Sequence, residues 1–288
     1  MKQLTVILVA CAAFAANELE GPSLGWMWDR EAKTLRRLSG LPGALRNELG
    51  IDLGEGVRAV WIAPAQNFAL VARDSEMNGN MLERCNLLTG ETARLKGEVP
   101  DAVIFSPDGL RLGLWSKSGG HFTIWGEAPQ QLDAAQIALA NDGEILILST
   151  DGLLRSSRGA ALGNYSAAAA IALDANRLAV AGGGALVVFE KANSGWEQRS
   201  RREESQINGW TQIELESNDS ILAVTSTNRV ERWNVAEGEP QTLAEDGVQS
   251  LTRLRQRGFY LAEGESKRIL FALSVSQKLY SLPTEELR

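Results

Sequence analysis

The chain contains few of the residues from which catalytic and metal sites are usually built. Its 288 residues include a single histidine, His121, and two cysteines, Cys11 and Cys85. A metal site made of several histidines is therefore excluded, and a serine or cysteine nucleophile with a histidine base would have to use His121. Because no complete catalytic or cofactor-binding set can be assembled from the sequence, we predict no catalytic residues, no metal ligands and no cofactor.

A strong excess of charge of one sign is also lacking. The chain has 29 lysine and arginine residues against 36 aspartate and glutamate residues, a formal net charge of -7. A mixed and mildly acidic surface disfavours binding to nucleic acid and to anionic membranes. The short basic cluster at 199–202 is followed at once by two glutamates, so we interpret it as solvated surface. We expect no nucleic-acid partner.

An apolar segment lies at the N-terminus. It runs from Leu4 to Phe14 without a charge, follows Lys2, and ends in Ala13-Phe14-Ala15. A short run of this kind with an A-x-A site predicts a signal peptide over residues 1–15 and an exported protein, periplasmic or extracellular, with one folded domain over 16–288. Two alternatives stay open. Leu8-Val9-Ala10-Cys11 resembles a bacterial lipobox, which would anchor the protein through a lipid on Cys11, or the segment is an ordinary buried strand.

Cleavage after residue 15 would leave Cys85 as the one cysteine of the folded domain. One cysteine cannot form an internal disulfide, so the domain must be stabilised by its apolar core. Apolar residues flank Cys85, and we predict a buried core thiol.

Short apolar runs joined by small polar turns repeat along the chain. The clearest copy is the sequence from Val103 to Trp115, with the turn Ser106-Pro107-Asp108-Gly109 at its centre. The corresponding turn residues of the six copies are Asn67, Gly109, Gly143, Asn176, Asp219 and Gly258. A spacing near 40 residues between short strand pairs is typical of a propeller blade. The sequence therefore predicts an all-β propeller of four-stranded antiparallel blades.

Each repeat contains an apolar inner strand, a second strand after the turn, a third strand with a bulky residue near its end, and an outer strand. We expect inner strands at 57–62, 102–105, 137–139, 168–173, 211–215 and 251–254. The bulky residues expected to fill the wedges between blades are Trp28, Cys85, Trp125, Phe189, Trp233 and Leu273. These tryptophans are therefore interpreted as core residues.

The turn from Ser106 to Gly109, the strand ends Trp28-Asp29 and Trp233-Asn234, and the period resemble the WD-repeat and YVTN-type bacterial propeller superfamily. The resemblance extends from about Gly25 to Pro283 and implies the propeller fold. Seven candidate third strands predict seven blades, the N-terminal one short, and six blades with an extra hairpin are the alternative. We expect the segment 41–56 to hold a missing strand.

One loop resembles a calcium-binding sequence. Asp74, Glu76 and Asn78 alternate before Gly79, as oxygen ligands do in an EF-hand loop. The bidentate acid required at the twelfth position is missing, because that position is Cys85. We therefore interpret the segment as a polar hairpin loop.

The function predicted from these features is that of a non-catalytic, exported and monomeric propeller that binds a protein or peptide partner. The expected surface is the rim formed by loops between second and third strands and by loops between blades. The candidate partner-binding residues on that rim are Asp74, Asn78, His121, Asp151, Trp210, Asn228 and Glu265. Two alternatives remain, a metal-dependent propeller hydrolase or lactonase with carboxylates at the channel mouth, and a lipid-anchored structural protein of the envelope.

Overall fold

A computed structural model describes residues 23–41, 44–74, 80–166, 168–207, 209–255, 258–264, 268–272 and 278–281. The predicted signal peptide and the lipobox cysteine Cys11 lie outside these residues, so both remain predictions. The regular structure of the described residues is almost entirely β, apart from one 3₁₀ turn at Ser205–Ile207.

The strands fall into seven antiparallel sheets, each built from strands that are consecutive in the chain. The N-terminal sheet has three strands: β1 (Ser23–Asp29), β2 (Thr34–Leu41) and β3 (Ala44–Asp52). Each of the other sheets has four strands and is called a blade. Blade 1 contains β4 (Val57–Ile62), β5 (Phe68–Arg73), β6 (Met81–Asn86) and β7 (Thr92–Leu95). Blade 2 contains β8 (Ala102–Phe105), β9 (Leu112–Ser116), β10 (His121–Ile124) and β11 (Gln130–Gln131).

The remaining four blades follow the same order. Blade 3 contains β12 (Gln136–Leu139), β13 (Ile145–Leu148), β14 (Leu153–Ser156) and β15 (Ala161–Asn164). Blade 4 contains β16 (Ala170–Leu173), β17 (Arg177–Gly182), β18 (Ala185–Ala192) and β19 (Gly195–Glu203). Blade 5 contains β20 (Trp210–Leu215), β21 (Ser220–Thr225), β22 (Val230–Asn234) and β23 (Gln241–Ala244). Blade 6 contains β24 (Ser250–Arg253), β25 (Phe259–Glu263), β26 (Arg268–Ala272) and β27 (Lys278–Ser281).

The inner hairpin of each blade forms where the turn sequences predict it. In blade 2 the buried Ser106 shows why its turn sequence matters. Its hydroxyl oxygen accepts a hydrogen bond from the Arg111 amide at 2.9 Å, and the Asp108 carboxylate accepts one from the Leu110 amide at 3.0 Å. Gly109 adopts a positive φ of 71°, which a glycine tolerates without strain. The predicted inner strands agree with β4, β8, β12, β16, β20 and β24 to within two residues at each end.

The three strands of the N-terminal sheet occupy the second, third and fourth positions of a blade. In blades 2 to 4 the last residue of the loop between second and third strands has a positive φ, and in blade 5 the next-to-last residue does. The carbonyl of this residue accepts a hydrogen bond from the residue that follows the outer strand or lies a few residues beyond it. The pairs are Leu132 to Gly120, Tyr165 to Gly152, Glu204 to Gly184 and Val248 to Asn228. Leu53 donates to Lys33 in the same way at 3.0 Å, and Lys33 has φ 52°. Trp28 and Asp29 therefore lie at the end of a strand in the second position of a blade. The prediction that they end a third strand is wrong.

The count of four-stranded blades is six, which was the alternative, and the prediction of seven is not supported. The predicted missing strand in the segment 41–56 is confirmed as β3. The N-terminal sheet lies between blade 6 and blade 1. Leu24, Met27 and Leu38 form one buried cluster with blade 6, and Leu35 and Leu53 form another with blade 1. In the described part of the chain, side-chain packing rather than strand exchange therefore joins the two ends of the ring.

Buried apolar clusters close most of the wedges between neighbouring sheets. Among the bulky residues predicted to fill them, Cys85, Phe189 and Trp233 are buried, as expected. Burial raises the pKa of the Cys85 thiol, which is a free cysteine. Trp125 is 44% exposed, so its prediction as a core residue is wrong. Leu273 lies outside the described residues.

Candidate functional site

One wedge of the ring differs from the others. Clusters of buried apolar side chains join the N-terminal sheet to blade 1, blade 2 to blade 3, and each later sheet to the next around the ring. The wedge between blade 1 and blade 2 contains the buried side chains Leu70, Ala72 and Leu82 of blade 1, but on the blade 2 side Leu114 and Thr123 are only partly buried. We call this wedge the seam.

The seam contains a groove of about 700 Å³. Its walls are the loop 96–100, which leads from blade 1 to blade 2, one face of β9 and β10, and residues of the turn 125–129. A volume of this size is typical of pockets that bind small ligands or side chains of a peptide. The groove is larger than two other pockets of the propeller, which have volumes of about 340 and 210 Å³.

The strand register explains why this face of blade 2 is available. His121 pairs with Ser116 and Thr123 pairs with Leu114, so all four side chains lie on the groove side of the sheet. The alternate residues of the same strands, including Phe122, point to the other face, where they are buried against blade 3. The apolar face of β9 and β10 therefore packs against blade 3. The opposite face, which carries both polar and apolar side chains, borders the groove.

The seam is closed near the channel and open towards the perimeter. Phe68 of β5 and Phe105 of β8 make an edge-to-face contact with ring centroids 5.9 Å apart. The Arg84 guanidinium lies 4.6 Å from the centroid of the Phe68 ring. Farther out, Trp125 lines the groove directly after β10, where β11 is only two residues long.

The large apolar side chains that are exposed in the described part of the chain all belong to the two blades that border the seam. Leu88 is 92% exposed, Leu110 is 84% exposed and Trp125 is 44% exposed. Leu88 and Trp125 lie in or next to turns between third and outer strands, and Leu110 lies in an inner hairpin turn. These turns share one face of the propeller, opposite to the predicted rim. Exposed apolar residues that concentrate in one region mark interaction surfaces.

The predicted rim residues lie where the topology places them, but most of them have structural roles. Asp151 accepts a hydrogen bond from the Leu153 amide at 3.1 Å, and the Ser149 hydroxyl bonded to its carboxylate lowers the pKa of that carboxyl. Asn228 has φ 61°, and its carbonyl accepts a hydrogen bond from Val248. Asp74 is exposed at the end of β5. Asn78 and Glu265 lie outside the described residues.

Trp210 is not displayed on the rim. Its side chain is 3% exposed and packs edge-to-face against Trp233, with ring centroids 5.0 Å apart. It belongs to the buried cluster between blades 4 and 5 and lines a smaller pocket of about 340 Å³ there. The aromatic residue expected as an anchor is therefore a core residue, and Trp125 has the accessible position.

Among the predicted residues that the structure describes, His121 alone lies in the seam groove, where its side chain is exposed. Sequence reasoning missed Leu88, Leu110 and Trp125. Leu88 and Leu110 had a usable signal, because both occupy turns whose other residues are mostly polar or glycine. Trp125 had none, since its sequence context matches that of the buried Trp233.

The enzymatic alternative, a metal-dependent hydrolase or lactonase, requires metal ligands that converge on one point. No three histidine, cysteine, aspartate or glutamate side chains in the described part of the chain come together as a set that could hold a metal ion. The loop resembling a calcium site lies partly outside the described residues. The sequence G-x-S-x-G occurs once, at 21–25, but Ser23 is the first residue of β1, which turns into β2 and not into a helix. In the described residues, no helix is long and apolar enough to cross a membrane.

No protein-family model matches the chain, and no curated protein matches it. Chains of solved structures do match, and there are 722 of them. One belongs to the "Crystal Structure of Mitotic Checkpoint Complex", with a TM-score of 0.59 and 12% sequence identity over 87% of this chain and 84% of the matched chain. At this identity the similarity shows the fold alone, that of a β-propeller. A fold so widely used does not indicate which function it serves.

Proposed function

We propose that the protein is an exported, non-catalytic propeller that binds a peptide segment of a partner protein in the seam between blades 1 and 2. The observation that carries the proposal is the groove of about 700 Å³ at the seam, with the exposed Trp125 in its lining. Export is inferred from the N-terminal sequence alone.

The chemistry of the groove favours a peptide. Trp125, Leu114 and two prolines, Pro100 and Pro129, offer apolar surface, while His121 offers polar atoms. Apolar and aromatic surface with a few polar groups is typical of sites that bind side chains of a partner. Lys96 and Glu98 give the loop that borders the groove both signs of charge. This combination suits an extended segment with apolar anchors and a mixed rim.

The fold is consistent with such a function. The matched structure is, by its title, part of a protein complex, and it contains a propeller of similar shape. That similarity supports an interaction scaffold as a class and says nothing about this partner. Burial of an exposed tryptophan at the centre of an interface contributes strongly to affinity.

The test begins with a library of displayed peptides selected on the purified mature protein. Selected peptides are then measured by calorimetry against Trp125→Ala, with Asp74→Ala as the control variant at the predicted rim. We expect at least tenfold weaker binding to Trp125→Ala and unchanged binding to Asp74→Ala. The proposal fails if the peptides bind Trp125→Ala as tightly as the unmodified protein, or if selection yields no binders. The opposite pattern, loss in Asp74→Ala alone, would move the site to the predicted rim.

A further inference from the structure

Each exposed large apolar residue of blades 1 and 2 has an exposed acidic residue in the same turn. One such pair lies in the turn between β6 and β7, one in the inner hairpin turn of blade 2, and one in the turn between β10 and β11. All three turns belong to the face of the propeller opposite to the predicted rim. We call these six residues the turn patch, and they are Leu88 with Glu91, Leu110 with Asp108, and Trp125 with Glu127.

The turns that carry the patch adjoin one another across the seam. The Leu87 amide, next to Leu88, donates to the Asn67 carbonyl in the inner hairpin turn of blade 1 at 3.1 Å. That hairpin turn touches blade 2, because a methyl group placed on Gly109 would lie 3.4 Å from the Ala65 amide nitrogen. Within blade 2 the two turns of the patch lie two strand spacings apart, which is about 10 Å. The turn patch is therefore one surface that extends over both blades.

The acidic side chains of the turn patch are not neutralised by a neighbour. Within the described residues, none of the three forms an ion pair. Glu91 accepts a hydrogen bond from the Thr89 hydroxyl at 3.2 Å, and Asp108 accepts one from the Leu110 amide at 3.0 Å. In blades 3, 4 and 5 an acid of the inner hairpin turn does form an ion pair, and these pairs are Asp142 with Arg158, Asp174 with Arg177, and Glu216 with Arg232.

The basic residues nearest to the turn patch are engaged elsewhere. The Arg111 Nε donates to the Asn141 carbonyl of blade 3 at 2.9 Å. Arg84 lies two residues before the end of β6, and its guanidinium stacks 4.6 Å from the centroid of the Phe68 ring. The lysines of blades 1 and 2 follow β7 and β9 at the predicted rim, and they are Lys96 and Lys117. The turn patch therefore combines exposed apolar side chains with a net negative charge.

This combination selects a partner of opposite charge. Exposed apolar residues in one region mark an interaction surface, and charges across an interface are arranged to be complementary. Lysine and arginine bring a cation at the end of an apolar stem, so they can cover Leu88 or Leu110 and still reach a carboxylate. A second copy of this chain would bring a second acidic patch and a net charge of -7, and nucleic acid would bring phosphates, so both would be repelled.

We propose that the turn patch binds a basic segment of a partner protein, in which apolar residues alternate with lysine or arginine. The inference rests on the proposed function, since Trp125 belongs both to the seam groove and to the patch. It adds the charge of the bound peptide and the surface over which the peptide continues beyond the groove.

The test uses two displayed peptide libraries, selected on the purified mature protein. Both have apolar residues at alternate positions, and the positions between them are lysine or arginine in one library and aspartate or glutamate in the other. We expect binders from the basic library only, with an affinity that falls about tenfold between about 50 and about 500 mM sodium chloride, because salt screens exposed charges. Binders from the acidic library, or basic binders whose affinity is independent of salt, would overturn the proposal.

Two double variants test the place of binding. Glu91→Gln with Glu127→Gln removes two charges of the turn patch and should weaken the basic peptides about fivefold. Glu237→Gln with Glu239→Gln is the matched control, because it removes two exposed charges from the corresponding outer turn of blade 5, on the same face of the ring. We expect the control to bind as the unmodified protein does. Equal losses in the two double variants would mean a general effect of charge and would reject the patch as the site.

Leu110→Ser tests the apolar part of the patch without disturbing the core, since Leu110 is 84% exposed. We expect binding about fivefold weaker. Peptides that lose affinity in Trp125→Ala but bind Leu110→Ser and the Glu91 and Glu127 double variant unchanged would overturn the turn patch and leave the seam groove as the site. Peptides with the reverse pattern would support the turn patch and overturn the seam groove. If neither library yields binders, both proposals fail.

Discussion

Lys191 holds together a charged network between blades 3 and 4, and its replacement by methionine offers the sharpest test of the packing described above. The Lys191 ammonium lies 2.7 Å from a carboxylate oxygen of Glu144 and 2.8 Å from one of Asp142. Glu144 is buried, and its other oxygen bonds to the Ser156 hydroxyl. Lys191→Met keeps the apolar stem of the side chain and removes the charge. Glu144 is then left with Ser156 and with Arg158, whose guanidinium is 3.6 Å away.

The size of the destabilisation expected for Lys191→Met follows from the burial of Glu144. Removal of one partner from a buried ion pair costs roughly 3–5 kcal/mol, because the remaining charge stays desolvated. Lys191 is partly exposed, and Arg158 remains close to Glu144. We therefore expect the free energy of unfolding at pH 7 to fall by about 2 kcal/mol, between a surface pair and a fully buried one.

The pH dependence has a definite sign. Burial by itself would raise the pKa of Glu144 and of Asp142, but hydrogen bonds from Lys191 and the charge nearby outweigh it and lower both. A carboxyl whose pKa is lower in the folded state stabilises the protein above its unfolded pKa, and that contribution is lost as the pH falls through the folded value. The difference between the unmodified protein and Lys191→Met should therefore shrink below about pH 4.

The assay is urea unfolding followed by tryptophan fluorescence at pH 7 and at pH 3.5. Lys117→Met is the matched control, because Lys117 also lies over a tryptophan ring, 4.9 Å from Trp115, but is exposed. We expect the control to change the unfolding free energy by less than about 0.5 kcal/mol. If Lys191→Met were as stable as the unmodified protein at pH 7, or equally destabilised at both pH values, the reasoning would be refuted.

Three further substitutions test other parts of the ring by the same unfolding assay. Phe122→Ala, in the cluster between blades 2 and 3, should lower the unfolding free energy by about 3–4 kcal/mol. Trp125→Ala at the seam should lower it by less than about 1 kcal/mol, because Trp125 is exposed. Similar losses in the two variants would contradict the difference between the two wedges. Gln212→Ala should cost about 1–3 kcal/mol because the Leu251 amide loses its acceptor, and no loss would show that water replaces it. Lys33→Gly should leave stability unchanged or raise it by up to about 1 kcal/mol, since φ 52° strains a lysine, and a clear loss would mean that its side chain matters more.

The sequence was sufficient for the elements whose signals are local. Polar turns such as Ser106 to Gly109 stop one strand and start another within a few residues, so the inner hairpins were predicted closely. The number of blades, in contrast, has no local signal in the sequence. The hydrogen bond between Leu53 and Lys33 shows that the strand ending at Trp28-Asp29 has the second position of a blade and not the third. No spacing in the sequence reveals this position.

The candidate site residues also differ in whether a local signal identifies them. His121 could be proposed from its rarity, and it does lie in the seam groove. Trp125 and Trp210 were assigned the wrong way round, because a tryptophan at a strand end is buried or exposed according to what the neighbouring blade places against it.

By itself, therefore, the amino-acid order determined that the chain is a propeller, where its inner hairpins turn, and that a site built from several histidines is impossible. Those properties follow from residue chemistry and from contacts between neighbours in sequence. Only the tertiary structure decided that six of the described sheets have four strands, that a groove borders blade 2 at the seam, and that Trp125 is exposed while Trp210 is buried. Each of these depends on which side chains meet across the ring, and residues that lie far apart in the chain, such as Leu24 and Phe259, meet there only once it has folded.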